Sequence, residues 1–175
     1  MNPKPQTLYT QRLHLGPIRE SDADDMVRIF LDEEVCKTYM LPQFQSQEEA
    51  KKLFYRLQDL SQTPNRVVYG IYLHDLLIGF LNDVEMDDDT IEMGYVIHPD
   101  HKNNGYATEA FSAVIQGLFS MGYTAVKAGA FAENAASIRV MEKCGMKPIS
   151  QEEEITYRGI AHRCVYYKIC NHIEC

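Results

Sequence analysis

The spacing of hydrophobic residues changes period along the chain, so both strands and helices are expected. Apolar and polar residues alternate over residues 12–18, which predicts a short strand. Ser21 is expected to cap the next helix, because acidic residues fill the first turn that follows it. The apolar residues of this helix recur every three or four positions, at Met26, Ile29 and Phe30.

The middle of the chain combines one helix with three strands. A helix is predicted to begin near Ser46, with leucines at positions 53, 57 and 60 on one face. Three segments rich in β-branched and aromatic residues follow at 67–73, 76–84 and 90–98, separated by polar turns. Short strands joined by tight turns are typical of an antiparallel meander.

The last part of the chain returns to alternating helices and strands. A long helix is predicted over 104–121, and Gly122 is expected to end it. The remaining predictions are a strand at 124–131, a helix at 134–144, and strands at 147–157 and 160–169. The strand, helix and strand within 91–131 predict a right-handed parallel crossover. The pattern therefore predicts one α/β domain with a mixed sheet, spanning 1–175.

Composition removes several classes of protein. The chain has 175 residues and no apolar run near the ~18 residues that a membrane helix needs. Residues 1–10 lack the apolar segment of a secretory signal, so we expect a cytoplasmic protein without membrane contact. The net charge of −8 argues against nucleic-acid partners, because phosphate would be repelled.

Cysteine and histidine spacing predicts no metal site. The five cysteines are odd in number, irregularly spaced and without a CxxC pair, so zinc sites and disulfide frameworks both fit poorly. The histidines show no ligand spacing either. Cys144 could suggest an acyl-cysteine route, but it precedes Gly145 at a helix end, where the dipole disfavours a thiolate. We therefore expect a core residue there.

The loop before the long helix is a candidate phosphate site. A buried strand ends at Pro99, a polar loop follows, and the helix begins beside Gly105. This arrangement directs free backbone N–H groups and the positive helix end at one point. Glycine allows close approach of the backbone, and Lys102 adds a cation.

Three blocks of residues, in order along the chain, extend this single motif. They are Thr10-Gln11-Arg12-Leu13-His14-Leu15 with Ile18-Arg19-Glu20-Ser21-Asp22-Ala23, then Lys102-Asn103-Asn104-Gly105-Tyr106-Ala107-Thr108, then Asn134-Ala135-Ala136-Ser137 with Glu142-Lys143-Cys144-Gly145. Leu77-Ile78-Gly79-Phe80 lies between the first two. Together they resemble the GNAT superfamily of N-acetyltransferases, and its RimJ/RimL-like branch in particular. This sequence departs from the family pattern at Lys102, where Arg or Gln is usual, and at Met146, where Phe is usual.

The resemblance implies a GNAT fold of the α/β (α+β) type. Its central sheet is mixed and mostly antiparallel, with about six to seven strands, about four flanking helices, and a splayed strand pair that forms a wedge for coenzyme A. Acetyl-CoA is then the co-substrate, without a metal. Backbone groups of Val96, Ile97 and His98 would pair with pantetheine, and Lys102–Thr108 would bind the pyrophosphate. The residues expected near the thiol are Asn134, Ser137, Val140 and Met141.

The implied reaction moves an acetyl group directly from sulfur to a primary amine. Glu92 is the candidate base, acting through water, because an alkylammonium has a pKa near ~10 and must lose a proton. The backbone N–H of Val96 or Ile97 is the candidate oxyanion donor. Ser137 is the candidate acid, since Met141 stands where many members have a tyrosine; Tyr106 and Tyr167 are substitutes.

Glu92 and Ser137 could also have purely structural roles. Glu92 could be a solvated strand residue, and Ser137 could simply bond its own helix backbone. A binding module that senses acyl-CoA or docks a partner is the alternative to an enzyme. The acceptor, a protein N-terminus or a small amine, is left open, as is a homodimer. The candidate lining of the acceptor pocket is Tyr39, Met40 and Phe44.

Overall fold

A computed structural model gives the fold of residues 2–171, the part of the chain that the structure describes. Eight strands form one sheet. They are β1 (Leu8–Tyr9), β2 (Leu13–Gly16), β3 (Val68–Leu73), β4 (Leu76–Met86), β5 (Thr90–Ile97), β6 (Ala125–Phe131), β7 (Lys147–Tyr157) and β8 (Ile160–Cys170). The α-helices are α1 (Ala23–Leu31), α2 (Glu33–Thr38), α3 (Gln47–Gln62), α4 (Tyr106–Met121) and α5 (Ala135–Lys143).

The strands lie in the order β1-β2-β3-β4-β5-β6-β8-β7. Strands β3, β4 and β5 pair antiparallel, which confirms the predicted meander, and β5 pairs parallel with β6 across helix α4. The mixed sheet and the splayed pair of the GNAT fold are confirmed. Two short elements were not predicted: β1 has two residues, and α2 has six, so neither completes a readable hydrophobic period.

Each face of the sheet is covered by helices and has its own hydrophobic core. The first core lies under α4 and α5 and includes Ile91, Met93 and Ile97 of β5. The second lies under α1, α2 and α3 and includes Phe80 and Val96. Alternate residues of β5 therefore face opposite sides, as the strand period of two requires. Gly94 faces the same side as Val96.

One predicted helix cap is wrong, and two predicted helix starts are confirmed. The Ser46 side chain accepts the backbone N–H of Glu49, and the Asn134 side chain accepts that of Ser137. Ser21 instead lies in a 3₁₀ turn, Glu20–Asp22, and Asp22 is the residue before α1. The buried Asp22 carboxylate accepts the Tyr72 hydroxyl at 2.6 Å, a long-range contact that local sequence does not reveal.

The cysteines differ from one another in state. Cys36, Cys144 and Cys164 have free thiols, whereas Cys170 is disulfide-bonded. A disulfide framework was not expected, and Cys170 is the one bonded cysteine among residues 2–171. Within residues 2–171 no helix is long and apolar enough to cross a membrane. The same residues contain no cluster of three or more His, Cys, Asp or Glu side chains arranged to hold a metal ion.

Candidate active site

A wedge opens in the sheet where β5 and β6 separate. The two strands pair only from Thr90 with Ala125 to Glu92 with Lys127, although both continue further. Beyond that point β5 remains paired with β4, and β6 remains paired with β8 up to Phe131. A bulge in β4 lies opposite Glu92, and bulges increase local strand twist. We call the point where pairing ends the wedge apex; it lies beside Gly94 and Gly129.

The direction of the β5 backbone decides which groups face the wedge. The N–H of His98 donates to the carbonyl of Ile78 on the β4 side at 2.8 Å. Because backbone groups of an antiparallel strand alternate in direction, those of Val96 also point to β4, and those of Tyr95 and Ile97 point into the wedge. The roles expected for the Val96 and His98 backbones are therefore wrong. The His98 carbonyl is occupied too, by the N–H of His101.

The loop before α4 has the conformation expected of a phosphate cradle. Asn103 and Gly105 both have positive φ, at 63° and 79°, a region that asparagine and glycine tolerate best. The Asn104 side chain folds back and donates to the carbonyls of Lys102 and His101, at 2.9 and 3.3 Å. Gly105 is the N-cap and provides no capping side chain. The first N–H groups of α4 are thus left for a ligand.

Glu109 fixes the start of α4 to the beginning of β2. Its carboxylate accepts hydrogen bonds from the Thr10 hydroxyl at 2.6 Å and from the Arg12 backbone and guanidinium, each at 2.8 Å. Burial opposes ionisation of Glu109, but these hydrogen bonds outweigh it and lower its pKa. Arg12 also lies over the Tyr106 ring, 4.6 Å from its centroid. This anchor, which the sequence motifs do not reveal, holds the loop rigidly.

A cavity of about 450 Å³ runs from this loop into the wedge. Many of the expected residues line it: Val96, Ile97, Lys102, Asn103, Gly105, Tyr106, Ala107, Thr108, Asn134, Ser137 and Val140. Four others do not: Glu92, His98, Asn104 and Met141 are absent from its lining. Met141 is fully buried in the first core. Met141 lies one helical turn after Ser137 but packs into the core and does not line the cavity, so its expected place beside the thiol stays a prediction.

Cations are concentrated in the cavity lining although the chain is acidic overall. Lys102 comes from the loop, and Arg139 and Lys143 come from α5. The last two are four residues apart and share a helix face with Ala136, so helical spacing is the sequence signal that was missed. The only lining carboxylate among residues 2–171 is Glu34, which pairs with Lys37 at 2.5 Å.

Tyr95 joins β5 to α5 within the wedge. Its hydroxyl lies 2.8 Å from the Ser137 hydroxyl oxygen and 3.0 Å from the Ser137 carbonyl. Burial raises the pKa of Tyr95, so the phenol stays protonated and can donate to that carbonyl. The Ser137 hydroxyl thereby keeps a fixed position at the cavity surface. Tyr95 was not identified from the sequence, because its partner is 42 residues away.

Glu92 lies just before the apex and is paired with a cation. Its carboxylate is 2.9 Å from the ammonium of Lys127 on β6, and Glu85 lies 3.5 Å from the same ammonium. Burial favours the neutral amine, but these carboxylates outweigh it and raise the pKa of Lys127. By strand alternation Glu92 faces the same side of the sheet as Gly94. Its carboxylate is paired with Lys127 and does not line the cavity.

Tyr39 lines the cavity from the side of the α1–α3 helices. Its hydroxyl is hydrogen-bonded to the Asn82 side chain, and its ring packs edge-on against Phe80 at 5.6 Å. A side-chain carbon added at Gly94 would lie 3.0 Å from the Tyr39 hydroxyl oxygen, so any larger residue there would push Tyr39 away by a few tenths of an ångström. The Tyr157 hydroxyl, at the tip of the β7–β8 hairpin, holds the Tyr39 carbonyl at 3.2 Å.

The remaining candidate residues pack against other parts of the protein or lie at its surface. The Cys144 thiol contacts the Ser112 hydroxyl at 3.3 Å and the Thr108 carbonyl at 3.6 Å, and burial raises its pKa, as expected of a core residue. Tyr167 is buried in the first core and does not line the cavity, so it is no substitute acid. Met40 is exposed, and Phe44 packs near Phe30.

Comparison with known proteins agrees with this geometry. The family model for the acetyltransferase (GNAT) domain matches residues 12–147. The uncharacterized N-acetyltransferase YoaA of Bacillus subtilis (strain 168) is 32% identical over 145 residues, which cover 80% of this chain and 82% of that protein. Among solved structures, a GNAT-family acetyltransferase from Bacillus anthracis superposes with a TM-score of 0.81, at 24% identity over 94% of this chain and 98% of that one.

Mycobacterium smegmatis RimJ, solved in complex with CoA-disulfide, superposes with a TM-score of 0.84 at 18% identity, over 98% of this chain and 91% of that one. These two structural likenesses concern the fold. The family match and the relationship to YoaA reach further, because both extend over most of the sequence, and the family match includes the loop at Gly105. The chain belongs to the GNAT family of acetyltransferases.

Proposed function

We propose that this protein transfers an acetyl group directly from acetyl-CoA to a primary amine. The observation that carries the proposal is the continuous cavity between the Gly105 loop and the wedge apex. It joins a cradle for phosphate to two strands whose facing backbone groups are unpaired with each other. Such an arrangement suits a long ligand with a diphosphate at one end and an amide-containing arm at the other.

The fit of acetyl-CoA to the lining residues is chemical as well as spatial. The N–H groups of Tyr106, Ala107 and Thr108 would bind the pyrophosphate, with Lys102 as an added cation. Arg139 and Lys143 are placed on the same cavity for a further phosphate. The wedge-facing backbone of Tyr95 and Ile97 would pair with pantetheine, and Asn134, Ser137 and Val140 would border its far end.

Transfer needs an oxyanion donor and a proton for the departing thiolate. The backbone N–H of Tyr95 or Ile97 serves the first need, because these are the amides that point into the wedge. Ser137 serves the second: its hydroxyl lines the cavity and is fixed by Tyr95. Tyr106, which also lines the cavity, stands on the phosphate side and is less suited to the thiol.

Glu92 would act as base through one water molecule, since its carboxylate does not line the cavity. We expect Glu92→Gln to lower kcat at neutral pH by about 10²-fold, the scale of general-base catalysis, with recovery at higher pH. The recovery follows because an alkylamine loses its own proton near pH ~10. The measurement is a pH profile of kcat from pH 6.5 to 10 at saturating acetyl-CoA.

Glu85→Gln is the matched control for this variant. It removes the other carboxylate that contacts Lys127, at 3.5 Å, but from strand β4. If Glu92 only stabilises the ion pair, both variants lower stability and leave the shape of the pH profile unchanged. That result would remove Glu92 from the reaction.

The second candidate function is binding of acyl-CoA without catalysis. It is favoured by the ion pair between Glu92 and Lys127, because a carboxylate held by a cation is a weaker base. Two measurements distinguish the enzyme from the binding module. Acetyl-CoA affinity is measured by calorimetry, and thiol release is measured with a panel of peptide N-termini, polyamines, amino acids and aminoglycosides. Binding together with amine-dependent thiol release is expected for the enzyme. Binding without release for any amine would favour the sensor, and absence of binding would contradict both.

A further inference from the structure

The Tyr39 hydroxyl lies at the wedge apex, on the α1–α3 side of the sheet. A carbon added to Gly94 at the apex would lie 3.0 Å from the Tyr39 oxygen and 3.4 Å from its ring. The Tyr39 hydroxyl therefore packs close to the β5 backbone at Gly94, and both residues line the cavity. A ligand that reaches the apex from this side must therefore pass against the Tyr39 hydroxyl.

The hydrogen-bond network fixes the direction of the Tyr39 proton. The Asn82 side-chain N–H donates to the Asp83 carbonyl at 3.0 Å, so the amide presents its oxygen to Tyr39. An amide oxygen can only accept, which means that the Tyr39 hydroxyl donates to Asn82. The oxygen of Tyr39 is left with a lone pair directed away from Asn82, and that lone pair can accept one N–H.

Two contacts hold this hydroxyl in place. The ring packs edge-on against Phe80 at an interplanar angle of 85°. The Tyr157 hydroxyl contacts the carbonyl of Tyr39 at 3.2 Å and receives the N–H of Leu41 at 3.3 Å. The β7–β8 hairpin thus fixes the segment after α2. A polar group held from both its ring and its backbone loses little entropy on binding a ligand.

We propose that Tyr39 positions the acceptor at the wedge apex by accepting one N–H of a neutral primary amine. The inference rests on the proposed function, and it names the substrate group that this site selects. In the reaction the amine nitrogen forms a bond to the acetyl carbon, and the carbon–sulfur bond breaks with its electron pair leaving on sulfur. The second amine proton passes through water to Glu92. The thiolate takes its proton from the Ser137 hydroxyl, Ser137 regains one from the Tyr95 hydroxyl at 2.8 Å, and Tyr95 and Glu92 return to their starting protonation by exchange with solvent. Tyr39 keeps its own proton throughout.

Burial raises the pKa of Tyr39, which is consistent with a hydroxyl that orients an amine and does not remove its proton. The role also predicts selectivity between amines. A primary amine has two N–H groups, one for Tyr39 and one to be lost in the reaction. An N-methyl amine has one N–H, so it cannot satisfy Tyr39 and react as well. The site should therefore prefer primary amines to their N-methyl analogues.

The test compares wild type with Tyr39→Phe, using the best amine of the panel and its N-methyl analogue. We expect kcat/KM for the primary amine to fall about fivefold to tenfold, the scale of one hydrogen bond, and that for the N-methyl amine to stay unchanged. The dissociation constant for acetyl-CoA should not change. Tyr55→Phe is the control, because Tyr55 lies on α3, is 50% exposed and does not line the cavity.

Three results overturn the inference. If Tyr39→Phe lowers kcat/KM equally for both amines, the hydroxyl does not accept a hydrogen bond from the N–H that distinguishes the primary amine. If neither value changes, the hydroxyl does not touch the acceptor. If the wild-type protein binds acetyl-CoA but acetylates no amine, the proposed function itself fails, and this outcome is visible before any variant is compared.

Discussion

Gly105→Glu is expected to abolish measurable acetyl-CoA binding while the fold persists. The new carboxylate would stand at the N-terminus of α4, where the diphosphate is proposed to bind. Two like charges about 4 Å apart in a partly buried site repel by about 4 kcal/mol, so we expect at least a loss of about a hundredfold in affinity. The nearest side chain, Arg12 at 3.5 Å, is already paired with Glu109 and cannot neutralise the new charge fully. Calorimetry with acetyl-CoA measures the effect.

The chain contains a matched control for this substitution. Gly159 has φ of 77°, close to the 79° of Gly105, and nothing lies within 4 Å of an added side-chain carbon there. Both substitutions pay the same penalty of about 1–2 kcal/mol for positive φ. Gly159→Glu should therefore lower the melting temperature to a similar extent and leave the acetyl-CoA dissociation constant unchanged. Equal affinity in the two variants would contradict the assignment of the loop.

Gly79→Ala is expected to cause the largest loss of stability. An added carbon at Gly79 would overlap the carbonyl oxygen of Val96 and lie 3.1 Å from the Ile97 Cα. These are backbone atoms that no rotamer change can move, so β4 and β5 must shift apart beside the wedge. We expect the free energy of unfolding to fall by about 3 kcal/mol or more, the upper end of overpacking effects. Thermal unfolding would show a melting temperature lower by about 6–12 °C.

Gly16→Ala is the control for this second variant. Gly16 also lies in a strand of the same sheet, but its added carbon meets only the Thr7 side chain, at 3.6 Å. Ordinary contact at that distance should change stability by less than about 1 kcal/mol. If the two variants unfold at the same temperature, close strand approach at Gly79 is not a constraint. In Gly79→Ala, acetyl-CoA affinity should fall as well, because Ile97 moves with β5.

Local rules succeeded where one short segment contains the whole cause. Gly122 was predicted to end the long helix, and its φ of 106° at the C-cap confirms this. The caps at Ser46 and Asn134 also depend only on a side chain and an N–H three residues later. Ser21 failed because the buried contact of Asp22 with Tyr72 shifts the start of α1. Tertiary contacts overrode the local preference there.

The candidate site likewise has features that one segment of sequence reveals and others that depend on packing. The loop from Lys102 to Thr108 could be proposed as a phosphate site from the sequence because its signal, a strand end followed by a polar loop and a glycine, is contiguous. Val140 lines the cavity whereas its neighbour Met141 packs into the core, and the sequence does not say which residues of α5 face the wedge. Val96 and His98 failed for a related reason: strand direction and register decide where backbone groups point.

The sequence by itself determined the order of the elements, the mixed sheet with its parallel crossover, and the loop that begins α4. These features follow from hydrophobic period and from glycine at positive φ, which are local properties. Only the tertiary structure decided three other features. These are the point where β5 and β6 stop pairing, the ion pair between Lys127 and Glu92, and the position of Tyr39 over Gly94. Each of these joins residues far apart in the chain, such as Tyr39 and Asn82 at a separation of 43. Packing of the whole sheet, and no local preference, brings such residues together.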